Sequence, residues 1–352
     1  MHSTGCVQKR FNFSYKLNLI YMRLHVIPVL YCPFQLAMHP LAKEIEQHTN
    51  QWILDFKLVN TLESYYKYKQ SRFPTFISRT FPDGEFENLC SFSDFFTLLF
   101  LVDDKFDEED SIKDNNSFAD FENKFLEILT QNSSYSIEEN NLFAALTDIW
   151  GRIRLRSTPA WQQKFVQCVR RMFEALYWQF KNILMGINPS FDEYVRIRQY
   201  LGAAHLSTDL LEFTGKIRLP EEVYQSPGVN KLTELCRNII CFSNDLFSLG
   251  KEIDESQNAG EYNLVSIIRR KYDSSMEDAI RRTADFHDHL VREFIEMSGE
   301  VYLFDNPTNE MLEKYVTALE RQMSANIEWS TKETSRYPHI YESWDRKILT
   351  NQ

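Results

Sequence analysis

Along most of the chain apolar residues recur at every third or fourth position, in long segments with few alternating β-branched runs. That period belongs to amphipathic helices, not to strands. Pro74, Pro82, Pro159, Pro189, Pro220, Pro227, Pro307 and Pro338 fall between these segments, where proline stops a helix or opens the next one. The expectation is an all-α, single-domain chain with no internal repeat and no low-complexity linker. Ser226-Pro227 reads as an N-cap followed by proline at the first helical position, opening a helix that reaches residues 244–252 about five turns later. Upstream, Phe96, Phe100, Asp103, Asp104 and Asp107 follow the spacing of one helical face on which aromatic rings give way to carboxylates.

Asn244, Ser248 and Glu252 stand at four-residue intervals. Each such step turns a helix by about 400°, so successive side chains drift by only about 40° and three oxygen ligands keep to one face. They span about 12 Å of axis, which Glu252 can shorten because helical side chains lean toward the N-terminus. This is a metal-binding pattern. The run Asp103-Asp104-Lys105-Phe106-Asp107-Glu108 is a second acidic candidate. Taken alone it reads as a solvated helix face; the combination of Asn, Ser, Glu and the flanking Lys251 is the more specific signal.

Composition narrows the picture. A chain of 352 residues with 43% hydrophobic and 14% aromatic residues can fill a sizeable core. The formal net charge of −11 leaves no basic face for phosphates and argues against a nucleic-acid partner. Glycine is rare, and neither GxGxxG nor a P-loop occurs. Six scattered cysteines without a CxxC pair point to a reduced, cytoplasmic protein. The apolar stretch from Leu24 to Leu30 is broken by His25 and Pro28 and is too short to span a bilayer. Residues 1–43 contain no Asp or Glu but carry Lys9, Arg10, Lys16 and Arg23, a bias that fits a targeting segment or a poorly ordered extension.

The Asp103-Asp104-x-x-Asp107 box and the Asn244-Asp245-x-x-Ser248-x-x-Lys251-Glu252 triad together resemble the two metal motifs of class I terpene synthases of the microbial type. Cys32-Pro33-Phe34 with His39-Pro40, Arg198 lying 46 residues before Asn244, and Arg336-Tyr337 resemble further family signatures. The resemblance covers about residues 28–340 and implies a helical bundle around a central cavity. It divides the chain into an N-terminal extension (1–27), a synthase domain (28–345) and a tail (346–352).

What the resemblance implies is an enzyme that ionises an allylic prenyl diphosphate, with farnesyl diphosphate first and geranyl or geranylgeranyl diphosphate as alternatives. Three Mg²⁺ ions, with Mn²⁺ as substitute, would be held by Asp103, Asp104, Asp107, Asn244, Ser248 and Glu252. Such ions would let an acidic pocket accept an anionic substrate. Arg198, Lys251, Arg336 and Tyr337 would bind diphosphate. Leu201 and Gly202 would be the linker and the effector whose backbone faces the substrate, Leu201 departing from the more common polar residue. Phe96, Phe100, Phe173, Tyr177 and Trp329 would line the pocket. The segment from Cys32 to Pro40 would fold over the cavity mouth. A homodimer is the candidate assembly. No DxDD motif of a class II cyclase and no second aspartate-rich box of a chain-elongating prenyltransferase is present. The competing reading from another class is a non-catalytic all-α interaction protein.

Overall fold

The computed structural model describes residues 25–108, 115–215, 217–255, 259–337 and 340–341. Its helices are α1 (Ala42–Asp55), α2 (Leu62–Ser71), α3 (Phe73–Thr80), α4 (Phe86–Glu108), α5 (Asn115–Gln131), α6 (Asn141–Arg156) and α7 (Pro159–Leu184). They continue as α8 (Phe191–Leu201), α9 (Ala204–Asp209), the short α10 (Leu211–Thr214) and α11 (Glu221–Tyr224), α12 (Pro227–Glu255), α13 (Leu264–Tyr272), α14 (Met276–Ser298) and α15 (Asn306–Glu328). The prolines open helices as the sequence suggests: Pro159 and Pro227 are the first residues of α7 and α12, and Pro74 and Pro307 the second residues of α3 and α15. A missing N–H costs nothing in the first turn, where no carbonyl awaits it.

Side chains of Thr61, Asn140, Thr158, Ser190, Asn263, Ser275 and Asp305 cap α2, α6, α7, α8, α13, α14 and α15 by accepting a first-turn N–H. Ser226 departs from the expected role. Its hydroxyl donates back to the Val223 carbonyl at 2.7 Å, so α12 starts at Pro227 without that cap. α12 is the axis of the bundle, packed against α8, α9, α13, α14 and α15, while α4 packs on α1, α3 and α6. Among the described residues, no helix is long and apolar enough to cross a membrane.

The first and last described segments meet. Val26–Ile27 (β1) pairs in parallel with Ile340–Tyr341 (β2), and Ile27 and Leu30 are fully buried in the core. Val26 and Ile27, assigned above to the extension, therefore belong to the folded unit; residues 1–24 and the expected tail at 346–352 lie outside the described residues. The segment from Cys32 to Pro40 also differs from expectation, since none of it lines the central cavity. It buttresses the wall from behind. The Gln35 carbonyl accepts from Ser324 Oγ (3.2 Å), the Ala37 carbonyl from Arg79 (3.4 Å), and Phe34 meets Phe294 edge-on.

Candidate active site

A cavity of about 290 Å³ opens between α4, α7, the α8–α9 junction, α12 and α15. One end is polar and the rest largely aromatic. Phe96 and Phe100 of α4, Phe173 of α7, Leu201 and Gly202 after α8, and Trp329 after α15 line it, together with Asp103, Arg198, Asn244, Ser248, Lys251, Glu252, Arg336 and Tyr337. Tyr177 is the exception among the candidate aromatic residues. The lining face of α7 runs through Met172, Phe173, Leu176 and Gln179, which leaves Tyr177 beside it, 39% exposed and in ring contact with Phe118. Asp107 lies on α4, and its side chain is outside the described residues.

On α12 Ser248 and Glu252 are drawn together as their spacing requires, and Asn244 lines the same cavity one turn earlier. Ser248 Oγ donates to Glu252 Oε1 at 2.5 Å, so Glu252 does reach back along its helix, and Asn263 Nδ2 donates to Glu252 Oε2 at 2.9 Å. Both of these partners are neutral, and burial, with the charge of Asp245 nearby, outweighs the more distant Arg198 and pushes the Glu252 carboxyl up to about 7. Hard carboxylate, hydroxyl and amide oxygens on one face, around a buried acid short of positive charge, fit a divalent cation of the Mg²⁺ type. Among the described residues no three His, Cys, Asp or Glu side chains converge; the oxygens of Asn244 and Ser248 complete this set.

The aspartates of α4 are engaged with cations of the protein itself. Arg336 forks onto Asp104 through two hydrogen bonds of 2.6 and 2.8 Å and reaches Asp103 at 3.4 Å, while Lys251 Nζ donates to Asp104 at 3.1 Å. Burial disfavours the Asp104 carboxylate, yet Arg336 and Lys251 outweigh it and hold its pKa below the ordinary value. Asp103 remains the exposed member and faces the cavity, whereas Asp104 does not line it. Arg336 is nearly buried, its guanidinium lying over the Phe73 and Phe100 rings at 5.6 and 5.4 Å. It does not sit on the last helix. α15 ends at Glu328 and passes through a π-helical turn, Trp329–Glu333, before the chain extends to Arg336 and Tyr337.

Arg198 is fixed by neighbours that spacing alone did not assign. Its Nε donates to Asp245 Oδ1 at 2.7 Å and its Nη2 to Asn244 Oδ1 at 3.0 Å, and Asn244 in turn donates to the Tyr337 hydroxyl at 3.2 Å. Burial opposes the Arg198 charge, but Asp245 overrides it and keeps the guanidinium protonated. Asp245 also accepts from the Tyr194 hydroxyl (3.0 Å) and the Leu264 N–H (3.0 Å). Tyr194 could have been found, because it precedes Arg198 by four residues on one helical face; the contact with Leu264 is long-range and leaves no pattern.

Gly202 closes α8 directly over this guanidinium. A Cβ there would meet Arg198 Nη1 at 2.5 Å and Cys241 Sγ at 3.0 Å. The glycine is therefore required by the arginine packed beneath it, as well as exposing backbone to the cavity. Ala203 follows in the left-handed region (φ 54°), so the helix breaks here and restarts as α9.

Comparison with known proteins agrees with this geometry. Residues 94–293 match the family described as terpene synthase family 2, C-terminal metal binding. The chain is 32% identical over 320 residues to (+)-T-muurolol synthase ((2E,6E)-farnesyl diphosphate cyclizing) of Roseiflexus castenholzii, covering 91% of this chain and 96% of that protein. It is 30% identical to (+)-eremophilene synthase of Sorangium cellulosum, covering 87% and 91%. Among solved structures, the SVS_A2 protein from ancestral sequence reconstruction superposes with a TM-score of 0.76 at 21% identity, covering 90% of this chain and 94% of that one. Hedycaryol synthase in complex with nerolidol gives 0.72 at 19% identity, covering 87% and 100%. With both metal motifs inside the matched region and a full-length relative above 30% identity, the chain belongs to the terpene synthase family, as a class I enzyme of the microbial type.

Proposed function

We propose that this protein is a Mg²⁺-dependent sesquiterpene synthase that ionises farnesyl diphosphate, cyclises the resulting carbocation and releases diphosphate. The observation that carries the reading is the convergence of Asn244, Ser248, Glu252 and Asp103 with Arg198, Lys251 and Arg336 at one end of an otherwise aromatic cavity. The farnesyl chain length is supported by the R. castenholzii relative, whose name specifies that substrate.

In this reading Asn244, Ser248 and Glu252 hold one Mg²⁺, and the carboxylates of Asp103, Asp104 and Asp107 hold two more, with Mn²⁺ as a substitute. Bound Mg²⁺ supplies positive charge to the leaving group as the carbon–oxygen bond breaks. The protein's own cations share that work. Arg198, Lys251 and Arg336 donate to diphosphate oxygens, two of them through planar forks that match phosphate, and the Tyr337 hydroxyl adds a donor. The hydrogen bonds that Arg336 and Lys251 make to Asp104 are exchanged for diphosphate, which frees the Asp104 oxygens for metal. Phe96, Phe100, Phe173 and Trp329 keep water from the cation and present π faces worth roughly 0.5 to 2 kcal/mol each.

The test is direct. Purified protein incubated with farnesyl diphosphate and Mg²⁺ should release diphosphate and give a cyclic C15 product by gas chromatography, and EDTA should abolish both. Diphosphate release from geranyl or geranylgeranyl diphosphate only would overturn the chain length; no release from any of the three would overturn the substrate assignment.

A further inference from the structure

Among the polar side chains that line the cavity, Ser207 of α9 and Gln322 and Asn326 of α15 stand on adjoining elements beside the aromatic wall. Their placement follows from their partners. Asn326 Nδ2 donates to the Ile240 carbonyl at 3.3 Å and to Ser243 Oγ at 2.9 Å, on the turn of α12 that precedes Asn244. Gln322 lies one turn further along α15 from the π-turn, on the same helical face as Asn326.

Both amides have a fixed orientation, because each –NH₂ faces a backbone carbonyl that can only accept. Gln322 Nε2 donates to the Ser207 carbonyl at 3.1 Å, and Gln322 Oε1 accepts from Ser207 Oγ at 3.0 Å. With both N–H bonds of Asn326 used, its Oδ1 accepts no hydrogen bond among the described residues. Ser207 Oγ keeps lone pairs and Gln322 keeps one N–H. An apolar pocket has no packing use for such groups: Gln322 and Asn326 are 1% and 3% exposed, and burying amides in a hydrocarbon-binding cavity costs free energy unless their hydrogen-bonding capacity is used.

We infer that Ser207, Gln322 and Asn326 hold a water molecule in the cavity, and that this water captures the final carbocation, so that the principal product is a terpene alcohol. The inference rests on the proposed function and deepens it. A buried water needs two to four polar partners, and this cluster offers two acceptors and a donor. In the capturing step a water lone pair forms the new C–O bond to the cationic carbon; the resulting oxonium then loses one proton to an oxygen of the released diphosphate. No oxidant or reductant is involved. An acceptor of the cluster holds one hydrogen of the water while the Gln322 N–H donates to one of its lone pairs, leaving the second lone pair for the ring carbon and the other hydrogen for transfer to diphosphate.

The experiment is turnover of farnesyl diphosphate in heavy-oxygen water, with diphosphate and volatile products measured in the same reaction. An alcohol carrying the heavy oxygen as main product is expected from the wild type. In Asn326→Leu and in Ser207→Ala the alcohol-to-hydrocarbon ratio should fall by about tenfold, the equivalent of losing one hydrogen bond to the water. This ratio is independent of overall rate, and Ser207→Ala removes a single hydroxyl, so misfolding of the larger substitution does not decide the outcome. Diphosphate release with only hydrocarbon products, or an alcohol fraction unmoved by both substitutions, overturns the water site while leaving the synthase reading intact. Absence of diphosphate release removes the substrate assignment and this inference with it.

Discussion

Glu252 concentrates the electrostatic problem of the site in one carboxyl. Its folded-state pKa of about 7 lies above the ordinary 4.5, so the folded, metal-free protein binds a proton there that the unfolded chain does not. The resulting stability is present below the unfolded pKa and is lost as pH rises through about 7. Metal-free protein should therefore lose up to about 3 kcal/mol between pH 5 and pH 8, less as far as cavity water screens the group. Glu252→Gln should flatten that part of the melting-temperature profile, keep its helical circular dichroism, and lower turnover by roughly 10² to 10³ through loss of leaving-group stabilisation. An unchanged pH profile, or wild-type turnover, would remove Glu252 from the site. Gly202 gives the second residue-scale prediction. In Gly202→Ala the new methyl must displace the Arg198 guanidinium, 2.5 Å away, at about 1 to 3 kcal/mol of overpacking. Inhibition by inorganic pyrophosphate with Mg²⁺ should weaken accordingly; equal inhibition of variant and wild type would separate Gly202 from the diphosphate site. The triad was legible because a four-residue step on a helix dictates a shared face, and Arg198 was singled out only through the family resemblance, 46 residues before Asn244. The fork from Arg336 to Asp104 was not legible, since it joins residues 232 apart in sequence; Gly202 is only four residues from Arg198, but the guanidinium lies under it because Asp245 and Asn244 of another helix hold it there.

At the scale of elements, helix periodicity and proline placement located the helices, and the ring-to-carboxylate order along α4 correctly put Phe96, Phe100 and Asp103 on the cavity side. Rotation about the axis was the weak point. Phe173 and Tyr177 are four apart on α7, yet only Phe173 lines the cavity, because a drift of about 40° is enough to carry a side chain past the edge of a narrow stripe. The end of α15 was also illegible: continuing the helix would place Arg336 on it, but the π-turn intervenes, and no proline or glycine between Trp329 and Arg336 announces it. That turn is pinned from outside by Glu333, which accepts two hydrogen bonds from Arg79 Nε and one, at 2.5 Å, from Arg79 Nη2. Glu333→Gln should loosen the turn and the Arg336 segment beyond it without touching the cavity. The expected result is a several-fold rise in KM for the diphosphate substrate and a loss of about 1 to 3 kcal/mol in denaturant titration, as for a partly buried charge pair losing one charge. Unchanged KM would show that the turn holds its shape without Arg79.

At the scale of the whole molecule, the first and last described segments converge beside the segment that carries Arg336 and Tyr337. β2 follows Arg336 and Tyr337 closely, and among the described residues its strand partner is β1. Ile27 is completely buried, so β1 acts as part of the core and as a tether for the segment that presents Arg336. Burial of the strap was hidden in the sequence, because a two-residue strand has no period to detect. A chain beginning at Met22 keeps both strands and should match the full chain in melting temperature and turnover. One beginning at Pro28 loses Val26 and Ile27. Deleting a fully buried isoleucine of this kind costs about 2 to 5 kcal/mol, and release of β2 should let the Arg336 segment move, so KM for the diphosphate substrate should rise along with the drop in stability. Ile27→Ala in the full-length chain separates the two effects: it keeps the backbone pairing of β1 with β2 while removing the packing, and should lower stability with a smaller change in KM than the truncation. If the chain starting at Pro28 melts and turns over like the one starting at Met22, the strand pair is dispensable and Arg336 is held in place by its contacts with Asp104 and the Phe73 and Phe100 rings alone.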